Sequence, residues 1–401
     1  MIVRYIHHII GIVLCATIGW LLVSCQSDSG DTPEQSGAVR ELRLSLGTQP
    51  FSDGGGAVRT RALPAGFDYY DDATALSPID QVQAYMTYLE NGNWKYTSTV
   101  FNYRQADQVW TSRVPLKDAP HYVYGFMPKS GVGGKVDLTP LNGAYSNGAV
   151  MTFHDLDVVI PNDLLVVVGA AAYKNPENPV APDMANGLGK FLYDTSLGSD
   201  DSDYLFLLVD HVYAGLRFKM KLGDNYSKLR RIKVRSIKLT PDNGDDAVVE
   251  SVTAVVKIVA NDEGRDPVMP WYDDGGRNIS GEVTFPSESF KMGKNPKPAV
   301  LYDGLGQELT TTPWQFLACF CASTNSQYTL ETKYDVYDRK GGPDGTGRMI
   351  REGETVRNKI ILTRSLSPGQ THTVNIVVEP TYLYVMSDPD LDNPTFKVSS
   401  D

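Results

Sequence analysis

Short apolar runs separated by Gly, Pro, Asn and Asp recur along the whole of this 401-residue chain, and almost none persists at helical period. In an extended backbone, residues i, i+2 and i+4 share a face, so such runs build strands instead of helices. Strands are expected at Arg40 to Leu46, Val82 to Leu89, Tyr122 to Phe126, Leu164 to Ala170, Leu205 to Val209, Leu216 to Leu222 and Ile232 to Leu239. They continue at Val248 to Val259, Phe316 to Cys321, Lys359 to Thr363, Thr373 to Val378 and Thr381 to Met386. Turn chemistry lies between them at Asn91-Gly92-Asn93, Asp242-Asn243-Gly244-Asp245 and Ser367-Pro368-Gly369. The expectation is an all-β protein. A loop rich in Pro, Gly and Asp between Asn175 and Asp203 divides the chain near its middle, which suggests two antiparallel sandwiches, 62–200 and 201–401.

The N-terminus carries an address. Arg4 supplies a basic start, Ile9 to Val23 an apolar run, and Leu22-Val23-Ser24-Cys25 fits a lipobox. At about 15 residues the run is shorter than the roughly 20 that a spanning helix needs, and a polar stretch follows at once. Residues 1–25 therefore read as a signal peptide, with Cys25 the lipidated residue that ties the precursor to a bacterial membrane outside the cytoplasm. The alternative is an ordinary signal peptide with an accidental cysteine.

The net charge is -11, from 48 acidic and 37 basic side chains, which argues against a nucleic-acid partner because that requires clustered Lys and Arg. The locally basic run Arg230 to Arg235 alternates with apolar residues, as a strand with one solvated face does. Cys319 and Cys321 are two apart on a strand, so they share a face without pointing at each other, and small buried thiols are the expected role. Half a metal site is the sharper reading, but no second Cys or His pair at ligand spacing supports it, and no metal is expected.

Catalytic patterns fail on inspection. Gly131-Val132-Gly133-Gly134-Lys135 looks like a phosphate loop, yet Lys129 stands where the first Gly belongs and Val136 where Ser or Thr must meet magnesium. Asp388-Pro389-Asp390-Leu391-Asp392-Asn393 spaces carboxylates like a calcium loop, but Asn393 replaces the turn Gly and Pro394 follows. His121, His154, His211 and His372 are scattered on or beside strands, without a spaced nucleophile, and read as structural. No enzyme activity and no cofactor are expected.

Leu42, Leu44 and Leu46 alternate strictly and place three leucines on one strand face. A Gly-rich loop, Thr60-Arg61-Ala62 and the alternating Ile79 to Tyr85 follow. Further on come Tyr124-Gly125-Phe126-Met127-Pro128, Asp210 to Phe218, and Pro380 to Met386 with Asp388 to Pro394. In this order, behind a lipobox, these pieces resemble the fimbrillins, or type V pilins, of Bacteroidia.

The resemblance implies two transthyretin-like sandwiches and a surface pilus (fimbrium) subunit serving adhesion. It implies export to the outer membrane as a lipoprotein and trimming after Arg61 or Arg59 by an arginine-specific protease. Within the 26–61 propeptide, the strand of Leu42, Leu44 and Leu46 is then lost, and a groove opens for a neighbouring subunit's C-terminal strand. Tyr382, Leu383, Tyr384, Val385 and Met386 are the donor residues expected on this basis, and the partners are other pilus subunits. The alternative is a lipid-anchored module that binds glycans or anchors pili and keeps its first strand. Trp94, Trp110, Trp271 and Trp314 are its candidate sugar platforms, although aromatics fill sandwich cores equally well.

Overall fold

A computed structural model describes residues 38–48, 68–69, 81–104, 109–117, 119–173, 192–194, 203–244, 246–259, 281–321, 324–340, 347–362, 366–381 and 390–400. Cys25, Arg59, Arg61, Trp271, Tyr382, Leu383, Tyr384, Val385 and Met386 lie outside the described residues.

Among the described residues the regular elements are strands and a few single 3-10 turns. In the first half these are β1 (Ala38–Thr48), β2 (Asp68–Tyr69), β3 (Val82–Glu90), β4 (Asn93–Arg104), β5 (Val109–Leu116), β6 (Pro120–Met127), β7 (Val136–Pro140), β8 (Gly148–Asp157), β9 (Val159–Ile160), β10 (Leu165–Tyr173) and β11 (Leu192–Asp194). The second half contributes β12 (Asp203–His211), β13 (Ala214–Leu222), β14 (Arg230–Pro241), β15 (Val248–Val259), β16 (Gly281–Thr284), β17 (Lys291–Gly293) and β18 (Ala299–Glu308). The last five are β19 (Trp314–Phe320), β20 (Gln327–Asp338), β21 (Met349–Ile361), β22 (Thr371–Thr381) and β23 (Asp390–Ser400).

The first sheet follows the order β12-β10-β11-β6-β3-β4-β5-β1-β2, with further pairings of β12 to β1 and β10 to β6. Those two pairings make β1, β12, β10, β6, β3, β4 and β5 a closed cycle. A closed cycle has no free edge, so each of these strands has a partner on both sides. Gly125 shows how tightly β6 runs beside β3: a Cβ there would lie 2.3 Å from the Gln83 carbonyl oxygen. Only glycine fits that approach.

The remaining ladders form a five-stranded sheet β23-β22-β13-β19-β9, a four-stranded sheet β18-β14-β20-β21, and the sheet β16-β15-β8-β7 with β17 attached to β15. Most pairings are antiparallel, but β1–β12, β13–β22 and the short β10–β11 are parallel. Ladders also run across residue 200: β12 belongs to the first sheet, β8 pairs with β15, and β9 with β19. One apolar core reaches from Leu42 to Phe396.

Candidate functional site: the first strand and its groove

β1 owes its place to its alternation. Leu42, Leu44 and Leu46 point inward and are buried, whereas Glu41 and Arg43 on the opposite face are partly exposed. Glu41 receives an ion pair from Arg104 of β4 at 3.1 Å. Burial of each leucine contributes about 1.5–3 kcal/mol.

Both backbone edges of β1 are used. On one side it runs parallel to β12, Leu44 opposite Leu205, Leu46 opposite Leu207 and Thr48 opposite Val209. On the other it runs antiparallel to β5, Ala38 opposite Leu116, Arg40 opposite Val114 and Leu44 opposite Trp110. Beyond β5, the short β2 pairs with Gly47 and Thr48. Leu205, Leu207, Val209, Trp110, Val114 and Leu116 are all buried. They are the walls that a vacated β1 position would present, together with two rows of backbone donors and acceptors.

The three sequence-expected groove residues therefore sit together, in the interior of a ladder. β12 was expected as a strand but not as the neighbour of β1, and β5 was not expected at all. Its signal is present in the alternation of Trp110, Val114 and Leu116, interrupted by Ser112. At the other terminus, β23 pairs antiparallel with β22, from Val374 opposite Ser400 to Thr381 opposite Asp390. Pro394 and Phe396 face inward, while Asn393, Lys397 and Ser399 are exposed. Residues 390–400 thus form the edge strand of the chain's own five-stranded sheet.

The aromatic, thiol and histidine candidates have these surroundings: Trp94 and Trp314 are half-buried and Trp110 is buried. Trp94 meets the rings of Tyr122 and Tyr145 at 5.8 and 5.7 Å, Trp110 meets Tyr103 at 4.9 Å, and Trp314 meets Phe316 at 4.9 Å. Burial pushes the phenols of Tyr85 and Tyr145 up to about 12. Cys319 and Cys321 are fully buried thiols. Burial, with Asp163 nearby, raises the Cys319 thiol well above its ordinary value. His154 bonds Asp137 at 2.9 Å, and His121 and His372 are buried.

One buried pair had no expectation attached to it. His211, at the end of β12, contacts Asp163 in the segment before β10 through Nδ1. Gly369, at φ +76°, lies against the His211 ring, where a Cβ would approach Cδ2 to 3.3 Å. The isolated letters His and Asp carry no spacing signal for such a contact. Among the described residues no group of three or more His, Cys, Asp or Glu is arranged to hold a metal ion.

No family model and no curated protein matches the chain. Among solved structures it is similar to a proposed cell adhesion protein from Bacteroides fragilis, at 7% identity and a TM-score of 0.36, covering 90% of this chain and 97% of that one. It is also similar to the fimbrial anchor protein Mfa2 from Porphyromonas gingivalis, at 10% identity and a TM-score of 0.27, with coverage of 90% and 97%. A third similarity is to a fimbrial protein from Bacteroides vulgatus, at 11% identity and a TM-score of 0.26, with coverage of 90% and 99%.

Proposed function

We propose that this chain is a structural subunit of a cell-surface pilus, of the fimbrillin type, that polymerises by strand exchange and serves adhesion. In this reading Cys25 carries lipid and holds the precursor at the outer membrane. An arginine-specific protease then cuts after Arg61 or Arg59, and β1 leaves.

The observation that supports this most is the position of β1. It is the first strand among the described residues, it completes a closed cycle between β12 and β5, and the stretch that joins it to β2 contains Arg59 and Arg61. A strand inserted there satisfies two rows of backbone groups while alternate side chains enter the core, so a donor strand gains affinity from the ladder and specificity from the pockets. Assembly on this scheme needs no cofactor. The chain's division into sandwiches at 62–200 and 201–401 belongs to the same reading.

A second reading, a lipid-anchored pilus anchor or glycan-binding module that retains β1, is favoured by how fully β1 is built into the core. N-terminal sequencing of the surface-exposed protein separates the two. The pilus-subunit reading expects a lipid-free chain beginning at Ala62 or Thr60. A chain still beginning at an acylated Cys25 overturns it and leaves the anchor.

A further inference from the structure

The β22–β23 ladder is weakest where Thr381 meets Asp390. Pro380 and Pro394 face each other across β22 and β23, with a register shift between Pro380 and Thr381. Neither proline has an N–H to donate, so the ladder is interrupted there and the strand end at Asp390 to Asn393 has little backbone support from β22.

Side chains from other elements take over the hold. Arg230 at the start of β14 donates to Asp392 Oδ1 through Nη2 at 2.9 Å and Nε at 3.2 Å, and its Nη1 approaches Asp338 at 3.5 Å. The Arg230 side chain is only 16% exposed, which limits solvent screening at its end of the pair. The Tyr226 hydroxyl donates to the Leu391 carbonyl at 2.6 Å, and burial raises that phenol so that it stays protonated. Further along, Asn358 of β21 donates through Nδ2 to the Phe396 carbonyl at 2.9 Å. The Phe396 ring rests against Tyr334 of β20, with centroids 4.9 Å apart. None of these contacts comes from β22. They tie the edge strand to the β14 end and to the facing sheet.

We propose that Arg230, Tyr226 and Asn358 form a latch that keeps β23 seated in the isolated subunit. Opening this latch is then the step that frees the C-terminal strand for a second copy of the chain. The latch stands on the contacts alone; its use in assembly rests on the strand-exchange reading above. Because the latch is made mostly of side chains meeting one strand end, it can open without unfolding β13, β19 or β22.

Hydrogen exchange of the full-chain monomer, read by mass spectrometry over 390–400, tests the latch. Arg230→Gln removes a charge-assisted pair and is expected to speed exchange there about tenfold, while β13 and β19 keep their protection. Lys397→Gln breaks an exposed ion pair to Glu379 within the β22–β23 ladder and is expected to change exchange less than about twofold. Should Arg230→Gln fail to fold, Asp392→Asn tests the same contact from its exposed end and is expected to speed exchange in the same direction. Equal effects of the Arg230 and Lys397 substitutions, or loosening of β13 in step with β23, overturn the latch. Polymerisation of the trimmed protein is scored separately. Faster exchange with faster assembly supports both halves, whereas faster exchange with no assembly by any variant keeps the latch and overturns strand exchange.

Discussion

Leu44 of the first strand and Leu205 of β12 lie opposite each other in a parallel ladder, both with side chains fully buried. β1 is therefore part of the core of the untrimmed chain, although it sits in the part that the proposed processing removes. The energetic consequence depends on which form of the protein is measured.

Leu44→Ala in the untrimmed chain is expected to cost about 2–5 kcal/mol, because it deletes buried methyl groups from a site walled by Leu205 and Trp110. Denaturant unfolding checks this. An untrimmed variant as stable as the parent contradicts the placement of β1.

The buried contact between Asp163 and His211 connects the segment before β10 to the end of β12. Asp163→Ala removes this contact from a site that is only a few per cent exposed, with an expected loss of about 1–3 kcal/mol. A loss below about 1 kcal/mol, the size typical of exposed pairs, would show that the contact is not closed in solution.

Acid should act on the Asp390 end of β23 in a specific window. The Asp390 carboxyl is held below its ordinary value of 3.8, first by the Asn393 side chain and then by the Asp392 N–H. A depressed carboxyl contributes stability that is fully present above the unfolded value and is lost as pH falls through the lower folded value. Exchange over 390–400, corrected for intrinsic rate, should show no change from this group between pH 5 and pH 8 (roughly one unit or more above that value) and an increase only below about pH 4. A transition near neutral pH that Asp390→Asn removes contradicts it.

The thiols offer a chemical check. Cys319 and Cys321 are buried, and a thiol raised by burial is a poor nucleophile. A chain begun at Ala62, which carries only these two cysteines, should react with a disulfide-exchange reagent in denaturant and scarcely at all when folded. Fast modification of the folded protein would place one of them at the surface.

The fold class was legible because Leu42, Leu44 and Leu46, or Leu216, Phe218 and Met220, alternate with polar residues. What stayed hidden were strands whose inward places are taken by polar or amphipathic residues. β20 buries Tyr328, Leu330, Thr332 and Tyr334 at alternate positions and then Asp335 and Val336 together, and tyrosines, a threonine and an aspartate do not announce an apolar face. β4 has a single buried residue, Phe101, and is otherwise exposed or half-buried, so burial leaves little mark on its composition. Pairing was less legible still. β1 meets β12 far away in sequence, and nothing in Leu42 to Leu46 names Leu205 to Val209 as its neighbour. For the site, the three leucines could be read from their spacing, the walls of their groove could not, and the Arg230 to Asp392 contact is visible only in three dimensions.

The most direct test of the account uses a chain begun at Ala62 and a synthetic peptide of Ala38 to Thr48. If β1 is a removable strand in a groove built to hold one, the peptide should bind at one per chain, restore the stability of the untrimmed protein and block polymerisation. The same peptide carrying Leu44→Asp should do none of these. A trimmed chain that ignores the peptide while remaining folded, or that polymerises unchanged in its presence, would contradict the proposal that the place of β1 is where one subunit receives the next.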